Sequence, residues 1–229
     1  RLHFHVGHIF SDDAYYSFLS YSLLQGNLDS EYIGYPVFPL RVAFIGLTAV
    51  SMMIFGNNEF ASLLFPLLIS IINIILTFKL VQLITVDNNK ALISAILIAF
   101  FPTDVIFASI CFPDLINMFF INLGIYFLLK SYYQKKKSFS YFGGFSILLS
   151  MQFKENIYYA LMLLSILLAH NLIKNKQLNF QLIVAIIFIT GNFLIEGLAY
   201  LLLHNDFFYR ITITNLNYHY SFYDFFPFT

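Results

Sequence analysis

The chain has 229 residues, of which 59% are hydrophobic, 20% are aromatic and 10% are charged, with twelve acidic and twelve basic side chains. Soluble domains average roughly 45–50% apolar and 25% charged residues, so this chain has too little polar surface to cover a globule in water. The composition therefore predicts an integral membrane protein. The zero net charge gives no reason to expect nucleic acid as a partner, and the single cysteine excludes an internal disulfide.

The two ends of the sequence indicate a piece of a longer protein. The first residue is Arg1 rather than Met, and the last residues read FFPFT. We expect a transmembrane helix before the first residue and a further portion after the last one. Within the piece, 1–229, we expect a single membrane domain with an external segment over 1–59, a transmembrane bundle over 60–203 and the start of another external loop over 204–229.

The first predicted helix is SDDAYYSFLSYSLL, at residues 11–24. Ser11 is a favourable N-cap, and Asp12 and Asp13 fall in the first turn, where carboxylates oppose the helix dipole. Apolar residues follow at helical spacing, which predicts an amphipathic helix between an external loop and the membrane surface. Capping alone would explain both acids, so the residues leave a structural and a catalytic interpretation open.

Six apolar segments predict transmembrane helices, since about 17–25 apolar residues cross a bilayer. They are 60–85, 91–108, 114–130, 139–153, 157–173 and 178–203. A further apolar run, 37–55, follows Pro36 and contains Pro39, Arg41 and Gly46. We predict that this run lies along the outer interface, with a seventh span as the alternative.

Basic residues predict the orientation, because they are retained on the cytoplasmic side. The clusters QKKKS at 134–138 and IKNKQ at 173–177 are two predicted spans apart, so both fall on one side. With 37–55 in the interface, the remaining polar constellation falls on the outer face. It comprises Asp12, Asp13, Asp104, Asp114, Lys154, Glu155, Asp206 and Arg210.

Several of these residues have a structural and a functional interpretation. Asp114 follows Pro113 and could simply begin a helix. Lys154 runs against the positive-inside tendency, so either a carboxylate or a lipid phosphate is expected to hold it. Glu196 lies inside a predicted span and needs a partner or water. Arg210 follows it, and its guanidinium matches the geometry of a phosphate.

No nucleotide, zinc-protease or serine-hydrolase motif is present. The histidines of HFHVGH, at positions 3, 5 and 8, fit no standard zinc spacing, so no metal ligand is assigned. No cofactor is predicted with certainty. A divalent metal stays open because the acids could supply oxygen ligands.

The order of short motifs carries a family resemblance. An acidic pair precedes aromatics at Asp12-Asp13-Ala14-Tyr15-Tyr16, and Gly26-Asn27, Tyr35-Pro36 and the segment FGNNEFA at 55–61 follow. Asp114 comes after the bend at Phe101-Pro102, and Lys154 and the segment DFFYR at 206–210 complete the series. This order, over about 11–210, resembles the membrane glycosyltransferases of the C-type fold, most closely the dolichyl-phosphate-mannose protein mannosyltransferase and aminoarabinose transferase superfamily. The chain departs from that pattern at Ser62-Leu63, where an arginine is frequent, and at Asp13, where glutamate is usual.

The resemblance implies an all-α polytopic membrane protein of the C-type fold, with about six transmembrane helices and external juxtamembrane helices. It implies inverting transfer of a sugar from a polyprenyl-phosphate donor to a protein, lipid or glycan acceptor, at the extracytoplasmic side of a cell or inner membrane. Asp12 is then the general base, with Asp13 and Asp114 as further catalytic residues. Lys154 and Arg210 bind the donor phosphate, and Tyr16, Glu155 and Glu196 support the acceptor or the site.

Two other classes of function remain as alternatives. A transporter or flippase for a lipid-linked or anionic substrate would place Glu196, Asp104 and Lys154 along a pathway. Such proteins usually contain paired halves with broken helices, and no such repeat is visible here. A non-catalytic membrane subunit would leave the external acids without an explanation.

Overall fold

The computed structural model describes residues 11–27, 37–154 and 179–216, together with the single positions 162, 166, 169 and 173. All regular structure in these ranges is helical. The helices are α1 Ser11–Leu24, α2 Val42–Phe55, α3 Glu59–Thr85, α4 Asn88–Ala99, α5 Pro102–Phe107, α6 Asp114–Gln134, α7 Ser138–Met151 and α8 Phe180–His204. A short 3-10 turn, Phe38–Leu40, precedes α2, and 209–216 is also helical. The predicted all-α fold class is confirmed.

Three of the described helices are long and apolar enough to cross a membrane: α3, α6 and α8. Many of their large apolar side chains point outward, as in Ile71, Ile75, Leu198 and Leu202. In water these side chains would form a large apolar patch, whereas lipid tails cover them without cost. The chain is therefore an integral membrane protein.

The remaining predicted spans are shorter or fall elsewhere. The segment 91–108, predicted as one span, is not one continuous helix, because α4 ends at Ala99 and α5 begins at Pro102. Proline disfavours the helical conformation in the residue before it, and Phe101 has φ −66° and ψ 120°. The segment 139–153 corresponds to α7, and most of 157–173 lies outside the described residues. The number of spans stays a prediction.

Helix α2 covers most of the run 37–55, for which an interfacial and a spanning position were both considered. It has 14 residues, which rise roughly 21 Å at 1.5 Å per residue. The hydrocarbon core is about 30 Å thick, so α2 alone is too short to cross it. Its length favours the interfacial position, which stays a prediction.

Side-chain caps fix where several helices begin. Asn58 accepts a hydrogen bond from the backbone N–H of Ala61 at 2.9 Å at the start of α3. Asp87 accepts from the N–H groups of Asn89 and Lys90 at the start of α4. These bonds to Lys90 and Asn89 lower the pKa of Asp87 below its ordinary value. Asn179 caps α8 in the same way.

Helices α3 and α6 run in the same direction. Leu63 and Ile116, near their N-termini, share one core cluster, and Asn122 Nδ2 lies 3.5 Å from Asn73 Oδ1 further along. The α3–α4 junction and the lysine-rich α6–α7 junction therefore lie at the same end of the bundle. The N-terminus of α6 lies at the other end, roughly 31 Å away for a 21-residue helix. The lysine-rich junction and Asp114 thus lie at opposite ends of the bundle, which agrees with the sides of the membrane predicted for the basic clusters and for the acidic residues.

Close packing of α6 against α7 depends on two glycines. A Cβ on Gly143 would lie 2.8 Å from Leu128 Cγ and 3.0 Å from the carbonyl oxygen of Gly124. Small residues of this kind let helix backbones approach each other within a membrane. At the same crossing Ser131 and Ser140 share a buried hydrogen bond of 2.7 Å.

We expect Gly143→Ala to lower the stability of the bundle by about 1–3 kcal/mol, because the new methyl group overpacks this crossing. Gly191→Ala is the matched control, since a Cβ there would meet nothing within 4 Å. Thermal unfolding in detergent should show a lower midpoint for Gly143→Ala alone. Equal midpoints for the two variants would contradict the close approach of α6 and α7.

Candidate active site

The two acids that begin α1 face different surroundings. Asp13 is fully buried, and its Oδ1 accepts a hydrogen bond from the backbone N–H of Ala14 at 2.7 Å. Asp12 is partly exposed and lines a cavity. Of the predicted pair, Asp12 is therefore the residue that a ligand in this cavity could reach.

Tyr16 holds α1 against the rest of the protein. Its ring is fully buried and packs edge-on against Phe38 and Phe44 at centroid distances of 5.0 and 5.1 Å. Arg41, which is also buried, donates a hydrogen bond from Nη1 to the Tyr16 hydroxyl. Tyr16 thus makes a contact within the core that fixes the helix bearing Asp12, and its predicted role in supporting the acceptor stays a prediction.

The charged cavity, as we call it, has a volume of about 400 Å³. Its lining residues come from α1, from the α5 region and from the ends of α6 and α7: Asp12, Ile106, Phe107, Ile110, Phe112, Asp114 and Lys154. It brings together three of the predicted site residues, Asp12, Asp114 and Lys154. Two carboxylates and one ammonium thus face one apolar-walled space.

Lys154 and Asp114 form an ion pair within the charged cavity. Lys154 Nζ lies 2.6 Å from Asp114 Oδ1, and the two side chains are 20% and 27% exposed. Asp114 is the first residue of α6, while Lys154 follows the end of α7. The neighbouring Phe153 is buried and stacks on Phe120 at 5.3 Å, which fixes the backbone that carries the lysine. A partner carboxylate therefore accounts for Lys154 on this side of the bundle, and a bound anion could share the ammonium.

A second cavity, of about 270 Å³, lies between α3, α4, α5 and α6. Phe107 and Asp114 line both cavities. The remaining walls of the second cavity are Asn73, Thr77, Ile98, Phe101, Thr103, Asp104, Leu115, Met118 and Asn122. Ser70 Oγ donates a hydrogen bond of 2.6 Å to Asp104 Oδ2 beside this cavity.

Arg210 and Glu196 meet elsewhere in the structure. Arg210 Nε lies 2.9 Å from Glu196 Oε1, and both side chains are largely buried. The guanidinium also donates to the carbonyl oxygens of Met151 at 2.9 Å and Leu40 at 2.8 Å. It thus joins α7, α8 and the turn before α2. Arg210 does not line the charged cavity, and its predicted contact with a phosphate stays a prediction.

Glu155, the remaining predicted site residue, lies outside the described residues, as do the three histidines near the N-terminus. Within the described ranges, no group of three or more His, Cys, Asp or Glu side chains could hold a metal ion. The cavity walls at Ile106, Phe107, Ile110 and Phe112 were not among the predicted site residues. The only feature of the sequence that pointed to these four residues was their position between Pro102 and Pro113.

Cys111 lies beside this site but is chemically inert. It is fully buried, and burial raises the pKa of its thiol to about 12. At pH 8 only about one molecule in ten thousand would carry the thiolate that reacts with maleimides.

We therefore expect no labelling of the native protein by maleimide at pH 8. Exposed cysteines introduced as Asn57→Cys and Lys136→Cys should label readily. With a membrane-impermeant reagent, these two should label from opposite sides of sealed vesicles. Rapid labelling of native Cys111, measured by mass spectrometry, would contradict its burial, and labelling of both introduced cysteines from one side would contradict the topology.

Comparison with known families decides the class. The sequence model of the dolichyl-phosphate-mannose-protein mannosyltransferase family matches residues 39–204. The chain belongs to this family. Searches of curated proteins and of solved structures found no match to the chain.

Family membership confirms the predicted superfamily. This member of the mannosyltransferase family is therefore a glycosyltransferase of the membrane. The matched range includes Asp114, Lys154 and Glu196 but begins after Asp12 and ends before Arg210. The assignment of a role to Asp12 therefore rests on its position in the charged cavity and on the order of the sequence motifs. The individual roles of the predicted site residues stay predictions.

Proposed function

We propose that this protein transfers a sugar from a polyprenyl-phosphate donor to an acceptor hydroxyl, with inversion, at the extracytoplasmic face of the membrane. The observation that supports this most is the convergence of Asp12, Asp114 and Lys154 on one cavity of about 400 Å³. Family membership supports sugar transfer in general. The donor, the stereochemistry and the side of the membrane are part of the proposal.

The proposed reaction is a single displacement. Asp12 accepts the proton of the acceptor hydroxyl as general base. The acceptor oxygen forms a bond to the anomeric carbon while the bond from that carbon to the phosphate oxygen breaks. The electron pair of the broken bond leaves with the polyprenyl phosphate. Attack on the face opposite the leaving group inverts the anomeric configuration.

Lys154 stabilises the charge that develops on the departing phosphate. A fixed cation beside the leaving group acts mainly in the transition state, where that charge is largest. Asp114 holds the ammonium at 2.6 Å before the donor binds. It also lies between the charged cavity and the second cavity, where it could orient the acceptor.

The donor class is tested with the purified protein in detergent. Polyprenyl-phosphate mannose is the first donor, followed by other polyprenyl-phosphate sugars, with a protein, lipid or glycan extract of the host membrane as acceptor. We expect release of polyprenyl phosphate coupled to labelled product. A nucleotide sugar without lipid is the control. Turnover of the nucleotide sugar, or no turnover of any lipid-linked sugar, would contradict the proposal.

A further inference from the structure

Asp104 is an acidic residue near the charged cavity that the proposed reaction does not use. It lies in the first turn of α5 and is only 6% exposed. Ser70 of α3, which is fully buried, donates a hydrogen bond of 2.6 Å to its Oδ2. A short bond to a carboxylate is among the stronger hydrogen bonds in proteins, and this one joins two helices.

Helix α5 depends on such a contact for its position. It has six residues, is separated from α4 by the break at Phe101, and leads directly into the segment that carries Cys111. Its residues Ile106 and Phe107 line the charged cavity, and Phe107 lines the second cavity as well. A small shift of α5 would change the width of both cavities.

We propose that Asp104 and Ser70 position α5, and with it the Phe107 wall that the charged cavity shares with the second cavity. Asp104 is then a positioning residue that determines which ligands fit. This inference rests on the proposed function for its kinetic consequence, though not for its structural one. The carboxylate acts through Phe107 and takes no part in the transfer of the proton.

The variants Asp104→Ala and Ser70→Ala each remove the bond, whereas Asp104→Asn keeps an acceptor oxygen at the same place. Ser62→Ala is the matched control, because Ser62 is buried in the same helix and its hydroxyl donates to the backbone carbonyl oxygen of Glu59, within its own turn. Each variant is purified in full length and checked for a single detergent-solubilised species.

Two measurements are made on these variants. The first is maleimide labelling of native Cys111, which is buried four residues after the end of α5. The Ala variants at 104 and 70 should expose it, while Asp104→Asn and Ser62→Ala should leave it unlabelled. The second is kinetics with polyprenyl-phosphate mannose. The two Ala variants should raise KM about fivefold or more and leave kcat within about twofold, and Asp104→Asn should restore the native KM.

Two outcomes would overturn the inference. If Cys111 stays unlabelled in both Ala variants, α5 does not depend on this bond. If Asp104→Asn lowers kcat as strongly as Asp104→Ala with an unchanged KM, the charge of Asp104 acts in the chemistry. Absence of turnover in the wild type would contradict the proposed function alone, because the labelling of Cys111 still decides the positioning role.

Discussion

Asp12→Asn is expected to reduce the rate of sugar transfer by about 10²–10⁴-fold, the usual contribution of a general base. The amide keeps the size of the side chain and its place in the first turn of α1, but it cannot accept the proton of the acceptor. Asp12 is partly exposed, so its replacement should leave the protein folded. Initial rates with polyprenyl-phosphate mannose measure the effect.

The matched control for this variant is Asp87→Asn. Asp87 is a partly exposed acid that caps α4 at the opposite end of the bundle, and asparagine caps a helix about as well as aspartate. It should retain native activity. Asp12→Glu should retain part of the activity, since it keeps a carboxylate and displaces it by one methylene group. An Asp12→Asn protein as active as Asp87→Asn would remove Asp12 from the mechanism.

Lys154→Gln is expected to lower kcat by about 10²-fold or more, because it removes the cation that the proposed mechanism places beside the departing phosphate. The effect on stability should be small. The ion pair with Asp114 is partly exposed at both side chains, and such pairs contribute about 1 kcal/mol or less. A large loss of activity with nearly native thermal unfolding would therefore separate a catalytic role from a structural one.

Exchange of the two charges makes the distinction sharper. The double variant Lys154→Asp with Asp114→Lys can rebuild the ion pair with reversed direction. If the pair serves only to join α6 to the end of α7, this variant should regain activity. We expect it to regain stability relative to the single variants while staying inactive, as measured by unfolding midpoint and by transfer rate. Recovery of activity would contradict a direct role for the lysine.

The long spans were predictable from the sequence because they depend on hydropathy alone. The predicted segments 60–85, 114–130 and 178–203 correspond to Glu59–Thr85, Asp114–Gln134 and Phe180–His204. Each has a polar residue at its start, Glu59 and Asp114 in the first turn and Asn179 as the N-cap of α8, and this signal is local in sequence. The convergence of Asp12, Asp114 and Lys154 was expected from the predicted side of the membrane and from the motif order.

The contacts between distant polar residues were not predictable in the same way. Arg210 pairs with Glu196 and with carbonyl groups of two other segments, and Arg41 reaches the hydroxyl of Tyr16. Such partners are determined by the packing of helices, which hydropathy does not encode. The break between α4 and α5 is a different case, because Pro102 is a local signal for it. The continuous apolar run over 91–108 nevertheless led to the prediction of one span.

The most direct test of the proposed site measures donor binding and turnover on the same preparation of Asp12→Asn. The proposed mechanism predicts that this variant binds polyprenyl phosphate with nearly native affinity, because Lys154 is intact, and releases almost no sugar from polyprenyl-phosphate mannose. Native turnover by Asp12→Asn, or binding lost together with turnover in a folded protein, would contradict the assignment of Asp12 as the base.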